Sequence, residues 1–282
     1  MAALNIPFMS PGKYQSCHEK LAGHIHNKAC ENMERAATEE ANLARELGEV
    51  DDKGHPYITV VGDGARSKRS YNVNYNALSG VACVIGKITG KILFLGVRNK
   101  YCCICERAIA KNIQPIPYHK CYKNWDSTST GMETDIIVEG FRCSLEMYGL
   151  IFLRLVGDGD SSMYNKLVKT RPYANTLVQK IECKNHLLRN FCRKLREISG
   201  KKRSTSKNCA VPIFLRKHVL KSILRIRTAC SKAVLYRTNE EKPLTEKIQL
   251  LCKDLKNIPS HVFGEHSKCQ EIGYFECKPN QS

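Results

Sequence analysis

The apolar residues of this chain change their spacing several times, and each change marks an element. From Tyr14 to Leu47 the sequence is rich in Ala, Glu, Lys and Arg without an internal Pro, a composition that favours helix. Gly48 and the Asp51-Asp52-Lys53-Gly54 cluster stop it, and the pattern predicts two helices broken near Gly23. Ile58 to Val61 is then a β-branched run, followed by Ala77 to Ile85 and Lys91 to Val97, with Gly86 and Thr89-Gly90 as the turn between the last two. These read as three sequential strands in an antiparallel meander.

Residues 99–125 break the pattern with four cysteines and two prolines and read as an insertion. Thr130 and Glu133 then have the spacing of a capping box, and Ile136, Ile137, Phe141, Leu145 and Met147 recur at helical spacing up to Gly149. A strand from Phe152 to Val156 follows. Ser161 or Ser162 caps a short helix that ends before Pro172, and Val178 to Cys183 gives a fifth strand. From His186 onward the chain reads as helix, with breaks at Gly200, Pro212, Pro243 and Pro259. The predicted order β-β-β-α-β-α-β is that of a ribonuclease-H-like α/β core. The expected division is a helical lead-in over 1–56, the core with its insertion over 57–186, and a basic helical region over 187–282.

Composition adds a partner. At 282 residues and 42% hydrophobic content the chain can bury a real core. Its 45 Lys and Arg against 27 Asp and Glu give +18, and the excess is local: Lys180 to Arg237 holds 17 basic residues and two acids, Glu182 and Glu197. Such a segment suits a polyanionic partner and reads as a nucleic-acid-facing surface. Lys184, Arg189 and Arg193 belong to it. Lys217, Lys221 and Arg225 recur at four-residue spacing on one face of a helix whose apolar side includes Val219, Leu220, Ile223 and Leu224. Lys201-Lys202-Arg203 fits a short nuclear address. The first residues lack a basic segment followed by an apolar one, and no apolar run approaches the ~18 residues of a membrane span. The reading is a soluble intracellular protein without a membrane partner, in which the 15 cysteines are metal ligands or small buried residues rather than disulfides.

The candidate chemistry lies in repeated and clustered side chains. Val60-Val61-Gly62-Asp63-Gly64 and Leu155-Val156-Gly157-Asp158-Gly159 are each an apolar run ending in an acid between glycines. One Gly-Asp-Gly is an ordinary turn. In the predicted order the first strand is central and the fourth lies beside it, so the two acids come together. Paired carboxylates of this kind hold Mg²⁺ or Mn²⁺ against a phosphodiester. Asp160 competes with Asp158 for the second position. Cys102-x-x-Cys105 and His119-x-Cys121 have spacing suited to a tetrahedral structural Zn²⁺, the first pair on a tight turn and the second on a returning strand. Cys103 lies too close to Cys105 for that turn. A second cluster, His261, His266, Cys269 and Cys277, offers zinc ligands at irregular spacing. A third, Cys183-x-x-His186, follows the fifth strand at the start of the basic region.

Several segments, in order, resemble the transposase domain of Mutator-like elements: Ile58-Thr-Val-Val-Gly-Asp-Gly-Ala, Asn74-Tyr-Asn-Ala-Leu-Ser-Gly80, Cys121-Tyr-Lys-Asn-Trp125, Asp135-Ile-Ile-Val-Glu-Gly-Phe141, Gly157-Asp-Gly-Asp-Ser-Ser162 and Glu182-Cys-Lys-Asn-His-Leu-Leu-Arg-Asn190. The resemblance runs from about residue 14 to the end. It implies a DDE transposase in which Asp63 and Asp158 match the first two metal-binding acids and Cys183 with His186 a Cys-x-x-His motif. The basic helices would then be a DNA-gripping insertion. It also implies a third carboxylate on a late helix, in an Asn-Asn-x-x-Glu context. Glu240, Glu241, Glu246, Glu265, Glu271 and Glu276 lack those surroundings, so the chain is expected to be a truncated copy, an incomplete gene model or a retained fragment, with no third acid of its own and little catalysis. The alternative is a non-catalytic, zinc-containing DNA-binding protein derived from a transposase. Assembly with a second copy is left open.

Overall fold

The computed structural model describes residues 9–66, 77–157, 161–204 and 209–269. Two compact units divide the chain, Met1–Cys183 and Lys184–Ser282.

The first unit begins with α1, Pro11–Glu46, a single 36-residue helix. Ser10 caps it, its hydroxyl accepting from the Lys13 amide at 3.4 Å, with Pro at the first turn. The break expected at Gly23 is absent: nothing lies within 4 Å of where its Cβ would stand, and an exposed mid-helix Gly costs only about 1 kcal/mol. Only the last third of α1 has a buried face, made of Ala36, Ala37, Ala41 and Ala44 around Glu40. Small side chains there let the helix lie close to the sheet.

Five strands form that sheet: β1 Tyr57–Arg66, β2 Ser79–Gly86, β3 Ile92–Asn99, β4 Ile151–Gly157 and β5 Gln179–Glu182. Their order is β3-β2-β1-β4-β5. β1, β2 and β3 are antiparallel in sequence, whereas β4 runs parallel to β1 and β5 parallel to β4. Between β3 and β4 come α2, Cys103–Ala110, and α3, Gly131–Tyr148; α4, Ser161–Thr170, separates β4 from β5.

The even-numbered residues of β2 are buried and the odd ones half-buried, the two-residue period of a sheet covered more heavily on one face. α3 lies on the buried face. Ile136, Ile137 and Phe141 are fully buried there, and Phe141 meets Phe152 edge to face with ring centroids 5.3 Å apart. Glu40 is buried beside Gly86: a Cβ on Gly86 would stand 2.2 Å from Glu40 Oε1, which instead accepts from the amides of Ile88 and Thr89 and the Thr89 hydroxyl. One carboxylate oxygen thereby satisfies the β2–β3 turn. At the start of α3 the Thr130 half of the expected capping box is not made. Thr130 sits at the N-cap in helical conformation with no side-chain cap bond, its hydroxyl paired with that of Thr128 at 3.1 Å. Gly149, at φ +65°, closes the other end.

The second unit holds α5 Lys184–Gly200, α6 Ile213–Asn239 and α7 Leu244–Val262. Pro212 and Pro243 are N-caps, as the sequence breaks suggest, but Pro259 lies inside α7. Its carbonyl still accepts from Phe263, and Ile258 and Val262 are buried with Ile226, Cys230 and Ala233, so packing carries the last turn past the missing amide.

Candidate metal centres and the acidic strand end

Asp63 lies near the end of β1, exposed, paired with Cys83 of β2. The Gly64 amide donates to its Oδ1 at 2.9 Å. Its neighbours face the helices: a Cβ on Gly62 would meet Leu155 and Ile137, and one on Gly64 would stand 2.7 Å from Glu133 Cγ. Alternation therefore turns Asp63 to the opposite face, which it shares with Val61, Cys83 and, across β2, the exposed Leu95. Burial, with the Asp63 charge second, pushes the Cys83 thiol pKa up. Asp158 and Asp160 lie outside the described residues. β4 ends at Gly157, and its parallel register with β1 runs Val60 to Leu155 and Val61 to Val156. Gly157 in turn pairs with Glu182 of β5, and the Cys183 amide donates to the Gly157 carbonyl at 3.2 Å. Glu182 is engaged by Lys180 at 2.7 Å. Cys183 is half-buried and closes the first unit; His186 is half-buried in the first turn of α5.

Two other acids of the resemblance have structural work. Asp135 and Glu139, one turn apart on α3, both pair with Arg98 of β3, and Asp135 also takes Lys166 of α4 at 3.1 Å. The i, i+4 spacing announces a shared helix face; the partners, distant in sequence, do not announce themselves.

Cys102, Cys105, His119 and Cys121 converge, their ligand atoms all within 4.8 Å of one another. His119 Nε2 is 3.2 Å from Cys102 Sγ and 3.3 Å from Cys105 Sγ, and Cys105 Sγ is 3.6 Å from Cys121 Sγ. Tetrahedral edges around Zn²⁺, from Zn–S ~2.3 Å and Zn–N ~2.0–2.1 Å, are roughly 3.5–3.8 Å, so the donors fit such an ion with small adjustments. The local geometry differs from the expected turn and strand. Cys102 is the N-cap of α2 and Cys105 sits in its first turn, while His119 and Cys121 lie outside any helix or strand. The helix start serves the sulfur: hydrogen bonds from the Cys105 and Ile104 amides hold the Cys102 pKa down to about 6. Burial, with Cys121 and Cys102 nearby, pushes Cys105 up to about 11. His119 Nδ1 lies 2.8 Å from the Pro117 carbonyl, the main reason its pKa rises to about 9. That backbone bond also aims Nε2 at the sulfurs.

The segment is fastened to the sheet by Asn124, whose side chain accepts from the Asn99 amide at 2.7 Å and donates to the Val97 carbonyl at 3.0 Å. Trp125 Nε1 donates to the Thr128 carbonyl. The Cys121-to-Trp125 motif thus joins a ligand to its anchor.

In the second unit, His261, His266 and Cys269 are also brought together; Cys277 lies outside the described residues. Lys184, Arg189, Arg193, Lys217, Lys221 and Arg225 are all exposed. Arg193 is tied to Glu197 at 2.7 Å. The apolar side proposed for α6 needs correction, because Leu220 and Leu224 are exposed on the same face as Lys217, Lys221 and Arg225, while Ile223, Ile226 and Cys230 form the buried ridge. The late acid Glu240 is bound by Arg237 at 2.9 and 3.0 Å, and Glu246 by Lys242 at 3.3 Å.

A family model described as Mutator-like transposase matches residues 1–277. The chain belongs to the Mutator-like transposase family. No curated protein and no solved structure matches it. Members of a transposase family act on DNA, which accords with the exposed basic side chains of α5 and α6. No helix among the described residues is long and apolar enough to cross a membrane.

Proposed function

We propose that this chain is a Mutator-like DDE transposase domain with a ribonuclease-H-like sheet, of a lineage that cleaves and joins DNA using divalent metal, and that it is catalytically incomplete because none of its late acids serves as the third metal ligand. The observation that carries this reading is the parallel register of β1 and β4, in which Val61 and Val156, each two residues before a Gly-Asp-Gly acid, stand side by side. Asp63 and Asp158 would hold Mg²⁺ or Mn²⁺, with Asp160 the competitor. Hard oxygen donors suit those ions, and the exposed Asp63 carboxylate presents one such donor. The metal supplies a Lewis acid that activates an attacking oxygen and stabilises the departing one. Cys102, Cys105, His119 and Cys121 hold a structural Zn²⁺, and the basic side chains of α5 and α6 bind phosphates in the nucleus, where the DNA is.

A second reading is a zinc-containing DNA-binding protein of transposase descent that no longer cleaves. It is favoured by the sequence around the late acids Glu240, Glu241, Glu246, Glu265, Glu271 and Glu276, none of which has the Asn-Asn-x-x-Glu context that the resemblance implies for a third metal ligand. Incubation with supercoiled plasmid in Mn²⁺ separates the two. Nicking abolished by Asp63→Ala and by Asp158→Ala supports the enzyme; salt-sensitive DNA binding without nicking supports the second reading. Nicking indifferent to both substitutions overturns the assignment of the acids.

A further inference from the structure

Past α7 the chain doubles back. Phe263 caps the helix, Gly264 adopts φ +93°, and the Glu265 amide donates to the Ser260 carbonyl at 2.9 Å. The turn brings the segment after α7 against the last turn of the helix, and three donors meet there. Cys269 Sγ lies 3.5 Å from His261 Nδ1 and 3.7 Å from His266 Nδ1. The Cys269 Sγ, His261 and His266 ligand atoms all fall within 4.8 Å of one another. A tetrahedral ion bound at Zn–S ~2.3 Å and Zn–N ~2.0–2.1 Å sets sulfur–nitrogen edges of about 3.5 Å, close to both distances.

The surroundings distinguish this thiol from an ordinary buried cysteine. A free Cys in a core usually behaves as a small hydrophobe among apolar neighbours. Cys269 is fully buried, yet the groups at its sulfur are two imidazoles and the Asn257 amide, which donates from Nδ2 at 3.5 Å. Asn257 is itself buried and lies one turn before His261 on α7. An N–H···S bond of this kind stabilises a thiolate and orients a ligand from behind.

We propose that His261, His266 and Cys269 bind a second Zn²⁺, separate from the Cys102 cluster, which fastens the segment following α7 to that helix. The remaining coordination position is taken by water.

Metal analysis of the full chain, purified in zinc without chelator, tests this. Two equivalents of Zn²⁺ per chain are expected. Cys269→Ser and His261→Asn should each leave one, Cys105→Ser should leave the other, and Cys105→Ser with Cys269→Ser should leave none. Amide exchange over residues 257–269 should lose protection in Cys269→Ser but not in Cys105→Ser, with helical circular dichroism retained in both. Wild-type zinc that is lost only with Cys105→Ser overturns the second site. Zinc lost only with Cys269→Ser upholds it and removes the Cys102 cluster instead.

Discussion

Arg237 of α6 and Asp254 of α7 grip each other with two hydrogen bonds, Nε to Oδ2 at 2.7 Å and Nη2 to Oδ1 at 3.0 Å, both side chains being buried. Asp254 and Glu240 together raise the Arg237 pKa further. Removing Asp254 leaves the buried Arg237 guanidinium with Glu240 but without two of its hydrogen bonds, so Asp254→Ala should destabilise the second unit by about 1–3 kcal/mol. Replacing both with apolar residues, as in Arg237→Met with Asp254→Leu, should cost less than Arg237→Met alone, which strands the buried Asp254 carboxylate. Denaturant unfolding followed by circular dichroism measures both.

Tyr173 supplies a pH-dependent contribution to the first unit. Its hydroxyl accepts from the Phe152 amide at 2.9 Å and lies 2.8 Å from the Ser144 hydroxyl, and burial pushes its pKa from 10.0 up to about 12. The folded state therefore holds the phenol proton more tightly than the unfolded chain. Its stabilisation is complete below pH ~10 and is lost as pH rises towards about 12, at up to ~1.4 kcal/mol per pH unit. Tyr173→Phe should cost about 1–3 kcal/mol at pH 8, and that gap should narrow between pH 10 and 12. A constant gap would show that the phenol does not titrate with unfolding.

Zinc at the Cys102 cluster should report through Trp125, the single tryptophan, four residues beyond Cys121. Chelation, or Cys105→Ser, should red-shift its emission as residues 100–125 loosen. An unchanged spectrum after loss of zinc from this cluster would mean that Asn124 and Trp125 hold the segment without the ion.

The basic face of α6 predicts the form of DNA binding. Lys217, Lys221 and Arg225 all changed to Ala should flatten the slope of log affinity against log salt by about 3, if each contacts one phosphate. Asp63→Ala should leave that slope unchanged. Fluorescence anisotropy with duplex DNA across salt concentrations measures it.

The strands were legible as short apolar, β-branched runs, and their sheet order followed from that sequence of elements; their ends were not, because pairing with β2 carries β1 past Gly62 and Gly64 to Arg66 and β3 past Gly96 to Asn99. Helix boundaries were legible where a cap or Pro had no competing contact, as at Gly149, Pro212 and Pro243. They were misread where packing or its absence decided. Gly23 is exposed and nothing exploits its flexibility, and Pro259 is overridden by the burial of Ile258 and Val262. The convergence of Cys102, Cys105, His119 and Cys121 could be read from ligand spacing, but not the helix start that presents Cys102 and Cys105, because α2 is short and much of its surface is exposed. Periodicity alone placed Leu220 and Leu224 on the apolar side of α6. Three-dimensional packing instead selects the ridge through Ile223, Ile226 and Cys230.

The central claim is that Asp63 and Asp158 share a divalent ion. It is tested most directly by Mn²⁺ titration of the zinc-loaded chain, with unbound Mn²⁺ followed by electron paramagnetic resonance. Asp63 is exposed, so Asp63→Asn should leave the fold intact while weakening Mn²⁺ binding at least about tenfold, a loss of ~1.4 kcal/mol or more. Asp158→Asn should do the same, and the double variant should bind little more weakly than either single one. Mn²⁺ binding that neither substitution alters would contradict the account.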